Sequence, residues 1–135
     1  MGDSTLKDGA SFGKKEKLKS QTQISKLFAK GNSISVYPLK LIYLKNDDQE
    51  VKIKTAVAVA KKNFKSAVKR NRIKRLLRET YRLNKALVFN NTQGKFTFLF
   101  LYLGKEMPTF ENLASKMPLL LRKFNAQIHE KNNTQ

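Results

Sequence analysis

The side chains best suited to chemistry in this sequence are cations, and they are concentrated in one stretch. Residues 61 to 85 contain eleven lysines and arginines and only one acid, Glu79. Arginine outnumbers lysine in the centre of this stretch, and its planar guanidinium can bind a phosphate through two hydrogen bonds. Asn71 lies between two arginines and adds an amide that can bind a base edge or help to hold a hydrated cation. A segment of this kind is expected to bind a polyanion, and nucleic acid is the natural candidate.

The charge of the whole chain favours the same interpretation. Its 135 residues carry a formal net charge of +18. A second basic run, residues 14 to 30, contains six lysines and one glutamate, and the remainder is nearly balanced. A surface that serves only solubility mixes both signs of charge. Two blocks of one sign therefore indicate a surface that contacts phosphate.

Groups that could act as catalysts are scarce. The chain has no cysteine, which excludes disulfides, thiolate zinc sites and thiol nucleophiles. The single histidine, His129, lies near the polar C-terminus, and the acids Asp47, Asp48 and Glu50 lie in a sequence typical of a turn. No phosphate-binding loop motif occurs. If the protein takes part in catalysis, we expect a partner to supply the reactive groups.

Helical periodicity over residues 64 to 88 places the cations on one face of a long helix. Five residues share an apolar sector about 100° wide, namely Ile73, Leu76, Leu77, Thr80 and Leu87. The opposite face is predicted to contain no acid and to present Asn71, Arg75, Arg78 and Arg82, flanked by Arg72 and Lys74. Ala67 and Val68 fall near the cationic side, so either the first turn packs differently or the helix begins nearer Lys69.

The segments before this helix predict a short helix and two strands. Ser20 with Gln23 is typical of a capping box, and the helix that it opens should end at Gly31. Residues 36 to 44 and 51 to 60 favour a hairpin of two antiparallel strands. Alanines at positions 56, 58 and 60 leave one face of the sheet shallow, so that another element can lie across it.

The segments after the basic helix complete the predicted order of elements. Residues 96 to 103 are almost wholly apolar, which predicts a strand buried on both faces and a strand–helix–strand unit around the basic helix. Residues 109 to about 130 repeat apolar side chains at helical spacing, with Pro118 expected to kink or split the helix.

These elements form one predicted domain over residues 14 to 130. A mobile polar tail is expected at residues 1 to 13 and a polar tail at residues 131 to 135. No apolar run reaches the roughly 18 residues of a membrane span, and the N-terminus lacks the apolar segment of a secretory signal. We therefore expect a soluble, cytoplasmic protein.

Several classes of function remain open on these observations. A ribosomal or general RNA-binding protein would share the charge. A DNA-binding regulator usually has a short helix and a tight turn before its recognition helix, whereas here a strand of small residues precedes it. A nuclease that acts alone with metal ions would need convergent acids or histidines, and a membrane-surface helix would need the apolar side that the core requires.

The basic stretch also resembles a known family signature. Residues 67 to 79, AVKRNRIKRLLRE, resemble the RNR signature of the protein component of bacterial ribonuclease P. The preceding residues 57 to 62, VAVAKK, are similar to the strand that leads into that helix in the family. Upstream, Leu18 and Lys19 together with Leu27, Phe28 and Gly31 resemble its first helix. The resemblance covers about residues 14 to 128.

The resemblance implies an α+β fold, an α/β sandwich whose four-stranded mixed sheet has helices packed on one side. The basic helix would make a left-handed crossover between parallel strands, against a rule that about 98% of such connections obey. The protein would be a subunit of an endoribonuclease that removes the 5′ leader of precursor tRNA. The RNA subunit would perform the chemistry with Mg²⁺, held mainly through RNA, and the protein would be a monomer in a 1:1 complex with it.

The resemblance also assigns residues to two roles. RNA contacts are implied for the signature residues Lys69, Arg70, Asn71, Arg72, Lys74, Arg75 and Arg78. Arg82 extends the same basic face beyond the signature and is expected to contact RNA with them. A cleft for the single-stranded leader is implied between the first helix, the sheet and the basic helix, with Phe28, Ile24, Ala58, Ala60, Lys61 and Lys62 as its floor and rim. Phe28 could stack on a base. The family often has a second aromatic residue one turn earlier, where this chain has Ile24.

Overall fold

Four strands form one mixed sheet, and helices cover both of its faces. The computed structural model describes residues 21–90 and 92–133, so the predicted tail at residues 1 to 13 and the proposed cap Ser20 lie outside the described residues. The strands are β1 (Asn32–Val36), β2 (Leu39–Lys45), β3 (Ile53–Val59) and β4 (Phe96–Tyr102), in the order β1-β2-β4-β3. The helices are α1 (Gln21–Lys30), α2 (Ala67–Asn84), α3 (Ala86–Phe89) and α4 (Phe110–Asn133), so α4 continues three residues past the predicted domain end.

The predicted hairpin between residues 36 to 44 and 51 to 60 is wrong, because β4 lies between β2 and β3. β4 is antiparallel to β2 and parallel to β3. All its residues are buried except the half-buried Leu101, so the strand takes a central position with a neighbour on each edge. The true hairpin joins β1 to β2 through Tyr37 and Pro38, whose peptide bond is cis.

The four-stranded mixed sheet and the strand–helix–strand unit are confirmed, with β3 and β4 as its parallel strands. The left-handed sense of the crossover stays a prediction. β1 was not predicted from the sequence because Asn32, Ser33 and Ser35 are polar and exposed, and only Ile34 is buried.

The larger core lies between one face of the sheet and helices α2 and α4. Alternate residues of β4 point to this face, and Phe98 and Phe100 are fully buried there. The Phe124 ring of α4 lies edge-on to Phe98, with ring centroids 4.9 Å apart, and to Tyr43 of β2, at 4.8 Å. These aromatic contacts hold α4 against the centre of the sheet.

Helix α1 lies on the opposite face, which departs from the implied arrangement of helices on one side. Leu27 of α1 is fully buried with Ile42 and Leu99, and this small cluster is separate from the larger core. The half-buried Ala56 and Ala58 pack at its margin, and their small side chains leave room for a helix. α1 ends before Gly31 as predicted, and a Cβ at Gly31 would lie 2.7 Å from Ile42 Cγ2.

Helix α4 is one continuous helix, so the predicted split at Pro118 does not occur. The predicted apolar stripe is confirmed, because its six members are all buried: Leu113, Met117, Leu120, Leu121, Phe124 and Ile128. The stripe continues on both sides of Pro118, so burial stabilises the helix despite the missing N–H donor. Within the described residues, no helix is long and apolar enough to cross a membrane.

Leu77 provides a test of this packing, because its side chain is fully buried beneath α2. Leu77→Ala should lower the free energy of unfolding by about 2–5 kcal/mol, since it removes buried methyl groups and leaves a cavity. Val68→Ala, at a residue that is 74% exposed on the same helix, serves as the matched control. Equal stability of the two variants in urea denaturation would contradict the packing described here.

Candidate nucleic-acid interface

The basic helix α2 begins at a defined cap. The Lys69 backbone N–H donates to Ser66 Oγ over 3.3 Å, and α2 starts at Ala67. Its first turn makes little contact with the core, since Val68 is 74% exposed. Of the two arrangements open from the sequence, the first turn therefore packs differently and the helix does not start later. The predicted single helix to residue 88 is two helices, with α3 following α2.

The apolar side of α2 packs against the core as predicted, except that Leu76 is half-buried and Leu87 belongs to α3. Ile73, Leu77 and Thr80 are fully buried. The sequence interpretation missed Tyr81, which is 1% exposed and whose ring centroid lies 5.0 Å from that of Phe100 in β4. The seat therefore fixes the rotation of α2 about its axis, and with it the direction of the cations on the outer side.

The outer side of α2 presents exposed side chains that include Lys69, Asn71, Arg72, Arg75 and Arg78. Among the described residues, Arg72 and Arg75 have no ion pair or hydrogen bond to another side chain. Partial desolvation of the Arg78 guanidinium lowers its pKa, although the residue as a whole is exposed. An arginine starts from so high a value that it keeps its charge at neutral pH. The face is thus available for bidentate contacts to phosphate.

Two of the predicted RNA-contact residues are engaged by the protein itself. The Arg70 guanidinium donates to the Phe64 and Lys65 carbonyl oxygens over 2.9 Å and 3.1 Å, so it closes the loop before α2. The Arg82 guanidinium donates to Glu79 Oε2 over 2.6 Å. The expectation of a face without acids is therefore wrong at this turn. Lys74 is half-buried at the edge of the face.

The contact with Arg82 changes the pKa of the Glu79 carboxyl group. The hydrogen bond from Arg82 lowers the pKa of Glu79 below its usual value. A lowered carboxyl pKa stabilises the folded protein at neutral pH, and this stabilisation is lost as the pH falls through the lowered pKa. Arg82 and Glu79 thus act as a pair at neutral pH.

Two of the predicted cleft residues, Ile24 and Ala58, pack on the sheet face that α1 covers. Ala58 is half-buried on β3, and Ala60, Lys61 and Lys62 follow the strand as exposed residues. On α1, Phe28 is 58% exposed, so its ring is not part of the core. The half-buried Ile24 packs against the Leu27 cluster instead.

Two further residues of this face were missed by the sequence interpretation. Leu101 of β4 is half-buried beside Ala58, and Lys40 of β2 is half-buried beside Leu101. A lone lysine in the apolar run LKLIYL was the available signal for Lys40. That signal does not show which residues lie beside Lys40, because the pairing of β2 with β4 is not evident from the sequence.

The fold and this surface define a basic α+β domain of the kind that binds nucleic acid. The family model of ribonuclease P matches residues 12–125. The chain belongs to the ribonuclease P protein family, which confirms the resemblance seen in the sequence.

Sequence identity to individual relatives supports this membership. The chain is 40% identical over 114 residues to the ribonuclease P protein component of Porphyromonas gingivalis strain ATCC 33277, covering 80% of this chain and 83% of the relative. It is 34% identical over 125 residues to that of Chlorobium phaeobacteroides, covering 82% and 86%.

Solved structures show the same fold. The ribonuclease P protein of Staphylococcus aureus superposes with a TM-score of 0.66 at 18% identity, over 79% of this chain and 93% of that one. The protein from Thermotoga maritima superposes with a TM-score of 0.64 at 24% identity, over 79% and 96%.

The Glu79–Arg82 pair leads to a prediction about RNA affinity. Glu79→Gln removes a negative charge from α2 and the charge that attracts the Arg82 guanidinium, so binding to ribonuclease P RNA should tighten. The slope of log affinity against log salt should become steeper by up to about 1, the value of one additional phosphate contact. Filter binding at several salt concentrations measures both quantities. Weaker binding by Glu79→Gln would show instead that the ion pair itself orients Arg82 for RNA.

Proposed function

We propose that this protein is the subunit of ribonuclease P that binds the catalytic RNA and holds the 5′ leader of precursor tRNA. Its membership of the ribonuclease P protein family identifies the enzyme of which it is a subunit. One observation carries the assignment of the interface: a helix fixed by its buried side presents unpaired arginines to solvent. The proposal has one protein and one RNA subunit in the complex, acting in the cytoplasm.

The arginine face of α2 is assigned to structured RNA. Arg72, Arg75 and Arg78 are exposed, and a rigid helix presents them at fixed spacing. Because the backbone of the helix is already ordered, binding restricts only the freedom of the side chains. Asn71, exposed between them in sequence, adds donors and an acceptor for a base edge or a sugar.

The α1 face of the sheet is assigned to the single-stranded leader. Single strands bind to surfaces that combine exposed aromatic rings with cations. Phe28 supplies the ring, Ala58 and Leu101 supply an apolar floor, and Lys61 and Lys62 supply cations at the rim. Ile24 contributes to the packing of α1 on this floor and would meet a base only at its outer edge.

The contribution of the protein is electrostatic and geometric. Precursor tRNA and the catalytic RNA are both polyanions, and a partner with a net charge of +18 reduces their mutual repulsion. Among the described residues, no three acids or histidines come together as a metal site. The proposal therefore assigns the Mg²⁺ of the holoenzyme to RNA and names no ligand on the protein.

Reconstitution tests the proposal directly. The protein, mixed with a bacterial ribonuclease P RNA and a precursor tRNA at low Mg²⁺, should increase the rate of leader release over that of the RNA alone. A matched reaction with another basic protein of similar charge controls for non-specific neutralisation. Binding to both RNAs without any increase in cleavage would favour a general RNA-binding protein and contradict the proposal.

Arg75→Ala tests the arginine face. Because the side chain is exposed and unpaired, the variant should keep its melting temperature but bind ribonuclease P RNA more weakly. If about six cations contact single-stranded phosphates, the wild-type slope of log affinity against log salt is about −4, and each lost contact reduces its magnitude by about 0.7. Unchanged holoenzyme assembly and precursor affinity in Arg75→Ala and Arg72→Ala would contradict this assignment.

A further inference from the structure

Lys40 is a half-buried lysine on the α1 face of the sheet. It is not among the RNA or leader contacts of the proposed function. Its neighbours Leu39 and Leu41 are fully buried in the larger core, so the side chain of Lys40 points to the other face. Ile42, two residues later on the same face, is buried under Leu27 of α1. Lys40 therefore lies just beyond the part of the sheet that α1 covers.

The ammonium group of Lys40 has no partner in the protein as described. No described residue forms an ion pair or hydrogen bond with it. A half-buried lysine keeps its aliphatic stem on apolar surface and directs its charge outward. The ammonium group is therefore available to an anion that binds beside this apolar surface.

Sheet register places Lys40 in one row with the proposed floor of the cleft. Lys40 pairs with Leu101, and Leu101 pairs with Ala58 on its other side. Strands lie about 4.8 Å apart, so the backbones of Lys40 and Ala58 are separated by about 10 Å. Lys61 and Lys62 follow Ala58 along the chain, in the turn after β3. The row therefore has a lysine at its β2 end and small or apolar side chains toward β3, and two further cations lie just past the end of β3.

We propose that the leader of precursor tRNA crosses the sheet from β3 to β2, and that Lys40 binds one of its phosphates at the far end. This inference rests on the proposed function and adds the path and a terminal contact. A phosphate at Lys61 or Lys62 and another at Lys40 would span the apolar floor, over which the intervening bases lie. Lys40 is then reached only by a leader that is long enough to cross three strands.

The test compares precursor tRNAs with leaders of one nucleotide and of about ten nucleotides, bound to the reconstituted holoenzyme. Lys40→Ala should weaken binding of the long-leader substrate by about threefold to tenfold and reduce the magnitude of its salt slope by about 0.7 to 1. Binding of the short-leader substrate should not change. Lys40→Arg should retain the long-leader affinity, because it keeps the charge.

Lys116→Ala is the matched control, since Lys116 is a half-buried lysine on α4, on the opposite side of the sheet. It removes the same charge and should affect both substrates equally and slightly. An equal loss for short and long leaders in Lys40→Ala, or the same loss in Lys116→Ala, would overturn the inference. Wild-type binding that improves with leader length, together with an unaffected Lys40→Ala, would overturn the inference alone. Wild-type binding that ignores leader length would overturn the leader-binding function itself.

Discussion

The burial of one side of α2 against the sheet and α4 is the constraint on which the rest of the structure depends. Ile73, Leu77 and Tyr81 are at most 1% exposed, and they lie on the side of the helix away from Arg75. Rotation of α2 about its axis would expose these side chains and bring guanidinium groups toward the core. Both changes cost free energy, because apolar surface would be hydrated and charge would be desolvated. The direction of the arginines is therefore a consequence of hydrophobic packing.

The same packing offsets the repulsion between the concentrated charges of α2. Like charges on one helix repel one another, and Glu79 offsets only part of that repulsion through its contact with Arg82. A ligand that binds only the folded state adds to its stability. RNA that neutralises the arginine face should thus stabilise the domain as it binds. The protein is accordingly best understood as the protein component of a ribonucleoprotein.

Much of the fold was predictable from local pattern, and what was not depended on long-range pairing. The seat of α2, the end of α1 at Gly31 and the stripe of α4 follow from residue spacing that each segment carries within itself. The position of β4 between β2 and β3 does not follow from spacing. The apolar sequence of a strand indicates that it is buried but not which strands it pairs with. β1 carries one buried residue, Ile34, and five residues of mostly polar sequence give too weak a signal.

The candidate interface shows the same division. The type and number of cations were evident in the sequence, but their availability was not. Arg70 and Arg82 belong to the basic pattern yet donate to the protein's own oxygens. Lys40 lies outside the basic pattern yet shares a row of the sheet with Leu101 and Ala58 through strand register. The Glu79–Arg82 pair follows helical spacing and was open to prediction from the sequence. The Arg70 contact depends on the path of the loop before α2, and the position of Lys40 depends on the order of the strands, so neither follows from spacing along one element.

Cross-linking from single cysteines tests the central claim most directly, since the chain contains no cysteine of its own. A photoactivatable group would be attached in turn to Val68→Cys on α2, Phe28→Cys on α1 and Leu119→Cys on α4, all exposed positions. In the complex with ribonuclease P RNA and precursor tRNA, position 68 should cross-link to RNA and position 28 to the leader, whereas position 119 should cross-link to neither. Efficient cross-links from position 119, with none from positions 68 and 28, would contradict the account.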